Sequence, residues 1–209
     1  MNAKAISLEA IREKIAYQPL LLGAFALLAS GALAVASQAT GAAIAAAEAK
    51  DLRDSLSEVL PPGLADNDFL KDTVDLDKGG KTVTIYRARQ AGVVKAALFK
   101  VAERGYAGDI QVLMAVDSEG RTLGVRVLKH SETPGLGDKI EVKKDPWIKG
   151  FDGKSLADPA PDKWAVKKDG GVFDQFAGAT ITPRAVVKAV KGGMDFYVAH
   201  REAIFGGKS

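Results

Sequence analysis

Residues able to do chemistry gather in two short stretches. The first is DQFAGATITPRAV, from Asp174 to Val186. Thr182 is of the type that caps a helix, and Pro183 suits a first helical position. Thr180 then falls two residues before the expected cap, within reach of the unpaired N–H groups of a helix start. That is where a phosphate is favourably held. Gly178 and Ala179 keep the surroundings small, so a bulky group can approach the Thr180 hydroxyl. Asp174 adds a carboxylate able to hold a metal or to orient the loop during a modification reaction. The plainer alternative is helix capping, with Gly178 as a turn residue. Nucleophilic catalysis by Thr180 is disfavoured, because no base lies near it in sequence and an internal threonine has no amine of its own.

The second stretch is HSETPGLGDKI, from His130 to Ile140. Pro134 and Gly135 predict a tight turn, and Gly137 a second unusual backbone angle. Leu136, set between two glycines, lets the backbone approach a flat ligand with an apolar side chain against its face. Glu132 and Thr133 offer an acceptor and a hydroxyl at the ligand's edge. The alternative is a strand-ending turn whose leucine tucks into the core. His130 reads as a hydrogen-bonder that orients the loop.

The rest of the chain narrows the chemistry. It has 209 residues, no cysteine and two histidines. Thiol nucleophiles, disulfides and cysteine-ligated iron–sulfur clusters are excluded. His130 and His200 are far apart in sequence and have no second ligand at metal-site spacing, so no resident metal is expected. Redox chemistry here would need an organic cofactor. A net charge of +3, scattered through the chain, does not make a nucleic-acid surface.

The elements that must position the two loops follow. No charged residue falls between Lys14 and Glu48. The run PLLLGAFALLASGALAVA is long enough to cross a bilayer core, which takes roughly 20 apolar helical residues. Lys4, Arg12 and Lys14 outnumber Glu9 and Glu13 and orient the start of the chain to the cytoplasm. AVA at 34–36 resembles a signal-peptide cleavage site, but the apolar run continues well past a normal signal core, which favours a retained anchor. The expected layout is a cytoplasmic start at 1–18, a membrane helix with its extension at 19–47, and an exported domain from 48.

Lys50 to Gly63 reads as a helix stopped at Pro61–Pro62, with Leu52, Leu56, Val59 and Leu60 on one face. KTVTIYRAR and GVVKAALFKVA read as strands, the latter with helix still open because of its alanines. GDIQVLMAVD and RTLGVRVLKH form a hairpin around Asp117–Gly120, with Ile110, Val112, Met114 and Val116 on one face and Leu123, Val125 and Val127 on another. WAVKKDGG predicts a further strand, and Pro183 to about Phe205 a long helix with Val186, Ala189, Val190, Gly193 and Tyr197 as its apolar stripe. The fold class is α+β: one N-terminal transmembrane helix, then an exported domain with a mostly antiparallel sheet and packed helices.

HSETPGLG at 130–137 and DQFAGAT at 174–180 together resemble the FMN-binding domain shared by two families. These are the G subunit of the Rnf electron transport complex and the C subunit of the sodium-translocating NADH:quinone reductase. The resemblance covers roughly residues 105–200, leaving 48–104 as the N-terminal part of the exported domain and 201–209 as a tail. It implies that Thr180, the last residue of a D-x-x-(S/T)-G-A-T pattern, is esterified to the phosphate of FMN. A dedicated flavin transferase would attach it, using FAD and a divalent metal. Asp174, Gly178 and Ala179 match the pattern, whereas Ala177 stands where serine or threonine is usual. That departure bears on recognition by the transferase or on a hydrogen bond near the phosphate. Glu132, Thr133, Gly135, Leu136 and Gly137 would wall the isoalloxazine ring, with Thr182 beside the phosphate end.

The compact length and the ATIT-x-R-A-V continuation favour the Rnf type. The chain would be a covalently flavinylated electron carrier in the bacterial inner membrane, single-pass, with a periplasmic flavin domain. Its partners would be other membrane and redox subunits of a complex that couples electron flow between ferredoxin and NAD to ion movement. Residues catalytic beyond the flavin are not expected. Two rivals remain: the quinone-reductase subunit, and an exported binding module without flavin.

Overall fold

The computed structural model describes residues 17–206. The start expected to be cytoplasmic, 1–18, lies up to residue 16 outside the described residues, as do residues 207–209 of the expected tail. Two compact units divide after Asp51. The first holds most of α1 (Tyr17–Glu58), a 42-residue helix. At 1.5 Å per residue α1 is about 63 Å long, against a bilayer core of about 30 Å. None of its most apolar stretch is buried, and among the described residues it is the one helix long and apolar enough to cross a membrane.

The second unit, from Leu52 on, is built on five antiparallel strands in simple sequential order. These are β1 (Thr73–Asp77), β2 (Thr82–Gln90), β3 (Val93–Arg104), β4 (Asp109–Asp117) and β5 (Thr122–Lys129). The alanine-rich segment forms β3, resolving the choice between helix and strand. β1 is additional to the strands expected from sequence, although Val74 and Leu76 alternate as a half-buried strand requires. After a long loop segment the chain closes with α2 (Ile181–Phe205), which takes in residues 201–205 of the expected tail.

Both faces of the sheet are covered, and the period-two pattern shows how. Ala97, Phe99, Val101, Ile110, Val112, Met114 and Val116 face α2, meeting Val186, Val190 and Met194. Ala96, Leu98, Leu113 and Ala115 face the other way, against Leu56 and Val59. Strands buried on two faces read as nearly continuous apolar runs, as β3 and β4 do. Leu123 departs from expectation. The register shifts between Ala115 and Val116, where Val116 pairs with Thr122 but Ala115 with Gly124. This bulge turns Leu123 to the face opposite Val125 and Val127.

The expected strand at Trp164–Gly171 is absent. Trp164 and Val166 are both buried, so the alternation is real. Yet Val166 meets only Phe173 in one isolated bridge, and a short 3-10 turn at Lys167–Asp169 follows, ended by Gly170 at φ 85°. Burial here comes from aromatic packing. Phe151 stacks on Phe173 at 4.5 Å between ring centres, and Trp147 meets Phe176 edge-on at 5.2 Å. This cluster carries the Asp174–Thr180 loop to the start of α2.

Candidate functional site

A cavity of about 470 Å³ opens at the N-terminus of α2. That size is within the range of small-molecule sites, about 300–1,000 Å³. It joins the two loops read from the sequence: Glu132, Thr133, Leu136 and Gly137 from one, Gly178, Ala179, Thr180 and Thr182 from the other. Tyr106 and Ile181 complete its lining. Gly135 and Asp174 lie outside the lining.

The first loop is shaped by its own sequence. Leu136 N–H donates to the Thr133 carbonyl at 3.2 Å, and Gly135 has φ 77°. Proline followed by a glycine of positive φ is the pattern of a type II turn. Leu136 does not tuck into the core; it is 44% exposed at the cavity. Gly137 is needed for a different reason from the unusual angle expected. A Cβ there would come within 2.9 Å of both Glu132 Cβ and Thr182 Oγ1.

Glu132 lines the cavity, where the sequence reading puts it, but its carboxylate is turned to protein partners. It is 4% exposed and engaged on both carboxylate oxygens. Oε1 accepts from the Ala107 N–H at 3.0 Å, and Oε2 accepts from the Thr182 hydroxyl. Burial makes such a carboxylate demand partners, and two segments supply them, the turn at 105–108 and the start of α2. Gly105 completes the shell, since a Cβ there would lie 2.5 Å from Glu132 Oε1.

His130 orients the loop as expected. Its Nδ1 accepts from the Glu132 N–H at 3.1 Å, so in the neutral ring Nε2 carries the proton, 2.9 Å from Glu141 Oε1. Lys144 reaches Glu141 Oε1 at 2.6 Å and Asp138 Oδ2 at 2.8 Å. The Lys144 ammonium holds the Asp138 carboxyl below the usual carboxylate range, and with His130 does the same for Glu141.

The second loop corrects the capping assignment. α2 begins at Ile181, so Thr180 holds the cap position and Thr182 lies inside the first turn. The buried Glu132 carboxylate captures the Thr182 hydroxyl and removes it from capping. Thr180 makes no side-chain capping hydrogen bond either. Plain helix capping therefore does not account for either threonine. The first-turn amides of Ile181 and Thr182 have no acceptor within the helix, and Pro183 has no N–H. Gly178, at φ 79°, and Ala179 keep the approach to the Thr180 hydroxyl small.

Asp174 is held elsewhere. Its carboxylate is exposed and pairs with Lys167 at 2.6 Å, while its carbonyl accepts from Trp147 Nε1 at 2.8 Å. Among the described residues, no basic side chain lines the cavity. Arg184, one turn into α2, is bound to Asp169 at 2.6 Å. An anion there would rely on helix-start amides.

Tyr106 and Ile181 escape the sequence reading. Tyr106 sits in RGYAGD, an aromatic between two glycines at a hairpin tip, which is an unusual place to expose a ring. Ile181 follows Thr180 directly and is 47% exposed on the first turn of the helix. The assembled site has apolar walls, a glycine-lined approach and an unengaged cap hydroxyl at a helix start. These features fit a flat ring system carrying a phosphate.

The comparisons with known proteins agree in place and kind. Residues 105–195 match the family model of the FMN-binding domain. The G subunit of the ion-translocating oxidoreductase complex of Cereibacter sphaeroides is 54% identical over 87% of this chain and 84% of its own. Its counterpart from Stutzerimonas stutzeri is 51% identical over 90% and 83%. That of Pseudomonas aeruginosa is 48% identical over 93% and 94%. Among solved structures, Shewanella oneidensis NqrC aligns with 70% of this chain and 74% of its own, at 24% identity and a TM-score of 0.47. With about half of all residues shared across nearly the whole of both chains, this protein belongs to the G-subunit family of ion-translocating oxidoreductase complexes.

Proposed function

We propose that this chain carries FMN through a phosphoester bond to Thr180 and relays electrons within a membrane-bound ion-translocating complex of the Rnf type, between ferredoxin and NAD. One observation carries the reading. Thr180 stands at the N-cap of a 25-residue helix, lines the cavity, and makes no capping hydrogen bond. FMN supplies the redox chemistry that a cysteine-free chain lacks.

The chain's own residues would hold it as follows. Thr180 Oγ forms the ester, and the amides of Ile181 and Thr182 face the phosphate charge. Leu136 and Ile181 provide apolar walls, and Thr133 a polar edge. Gly135 sets the turn that presents Leu136, while Gly178 and Ala179 leave room at the bond. In attachment by a flavin transferase, Thr180 Oγ would take the FMN phosphoryl group of FAD, with AMP as the leaving group and the hydroxyl proton released. Asp174, exposed and outside the cavity, is accessible to the flavin transferase and its divalent metal. Ala177, also exposed, stands in the same recognition stretch. A covalent tether lets the site stay shallow and leave part of the ring open to a partner subunit.

α1 would anchor the chain in the bacterial inner membrane, with the start of the chain cytoplasmic and the flavin domain periplasmic. The charges at Lys4, Arg12 and Lys14 support that orientation.

Co-expression with a flavin transferase tests the proposal. The wild-type chain should fluoresce on a denaturing gel under ultraviolet light, and Thr180→Ala should be dark. Equal fluorescence in both, or none in either with a transferase active on another substrate, contradicts it.

A further inference from the structure

We infer that the β3–β4 turn is a third wall of the flavin site, with Tyr106 laid against the ring system and Glu132 fixing the turn that carries it. This rests on the proposed flavin at Thr180 and adds a contact that neither motif loop contains.

Exposure points to the turn first. After Asp51, six large hydrophobic residues are exposed among the described residues: Val93, Tyr106, Leu136, Val172, Ile181 and Val198. Three of them, Tyr106, Leu136 and Ile181, line the same cavity. Single exposed apolar side chains are ordinary, but convergence on one concave site marks a surface that something covers. Tyr106 is the most exposed of the three, at 69%. An aromatic side chain there can stack offset or edge-on with a flat ring.

The turn is also built to stay in place. Gly105 N–H donates to the Gly108 carbonyl at 2.8 Å, closing the hairpin. Ala107 N–H donates to Glu132 Oε1, whose partner oxygen holds Thr182. One buried carboxylate therefore ties the Tyr106 turn to the helix start that presents Thr180. Glu132 acts as a positioning residue, since both its oxygens face protein groups. Gly105, Ala107 and Gly108 surround Tyr106 with small residues, so its ring meets little obstruction from its neighbours in sequence.

Flavin fluorescence in the full chain tests this. A tyrosine phenol against a flavin quenches its emission, because an electron passes from the phenol to the excited ring and then returns. Phenylalanine does not do this. Wild type, Tyr106→Phe, Tyr106→Leu and Tyr86→Phe are loaded by the transferase, and loading is checked by intact mass. Tyr86 packs with the cluster on the sheet face opposite α2 and serves as the control. The native wild type should have an emission lifetime several-fold shorter than in its own denatured form. Tyr106→Phe and Tyr106→Leu should recover most of it, and Tyr86→Phe should not. A loaded Tyr106→Phe as strongly quenched as wild type overturns the contact and leaves the Thr180 reading standing. A wild-type chain without flavin mass overturns the Thr180 reading, and this inference with it. Glu132→Gln should broaden the lifetime distribution of the loaded chain; a single unchanged lifetime removes Glu132 from the positioning role.

Discussion

Two corners of the unit that begins at Leu52 are built alike, from loops laid against the sheet, and differ in what they leave over. At the β2 corner, Asp72 faces two guanidinium groups, Arg87 and Arg89, all three side chains being less than one-fifth exposed. Asn67 completes the corner, accepting from the Arg89 N–H at 2.8 Å and donating to the Arg87 carbonyl at 2.9 Å. These polar groups find their partners within the chain. At the α2 corner, Glu132 plays a similar bracing part, yet Thr180 and three apolar side chains turn outward around a cavity. The first corner is closed by its own residues. The second is closed only around Glu132, and what stays open is the site.

Thr180→Ala should have the largest effect, complete loss of covalent flavin on a denaturing gel. Its unfolding free energy should stay within about 0.5 kcal/mol of wild type, because no hydrogen bond is lost. Asp72→Ala should do the reverse. It strands two largely buried cations and should destabilise by about 3 kcal/mol in urea unfolding, with flavin loading intact. If Asp72→Ala lost flavin as fully as Thr180→Ala, the two corners would not be separable.

Thr182→Val should cost about 2 kcal/mol, since a buried hydrogen bond to a carboxylate is removed. Its flavin should still attach, only more slowly, which would distinguish the bracing threonine from the proposed tether two residues away. Acid should probe the first corner selectively. Burial pushes the Asp72 carboxyl up, but the hydrogen bonds from Arg89 and Arg87 outweigh it and hold the group below its ordinary value. Its contribution is therefore fully present above the unfolded carboxylate value of about 4 and is lost as pH falls through the lower folded value. Asp72→Asn should remove that part of the acid slope in urea midpoints, and an unchanged slope would deny the corner its electrostatic role. Asp174→Ala, like Thr180→Ala, should change stability by no more than about 0.5 kcal/mol, because its pair with Lys167 is exposed.

Much of this is legible in the sequence for a physical reason. The hairpin and the α2 stripe follow from local periodicity, and α1 from a long apolar run without charge. Glycine, proline and threonine at those spacings draw attention to both loops, yet they equally suit a strand-ending turn and a helix cap; the family resemblance is what singles the loops out. What stays hidden depends on residues distant in sequence. Thr182 has the type of a cap, but Glu132, fifty residues earlier, takes its hydroxyl. Gly137 looks like a backbone-angle residue, and only the packing of Glu132 and Thr182 against it shows that it excludes a side chain. Leu123 alternates correctly in sequence and is displaced by a bulge. Trp164 and Val166 alternate like a strand without a strand to pair with. Tyr106 lies outside both motifs, so only the folded hairpin brings it to the cavity.

The most direct measurement is peptide mass mapping of the chain matured with its flavin transferase. Trypsin releases residues 169–184, a peptide holding both Thr180 and Thr182. Fragment ions should carry the FMN phosphoester on Thr180 and leave Thr182 unmodified. An adduct on Thr182, or an unmodified peptide from a fully matured chain, would contradict the assignment of Thr180 as the tether.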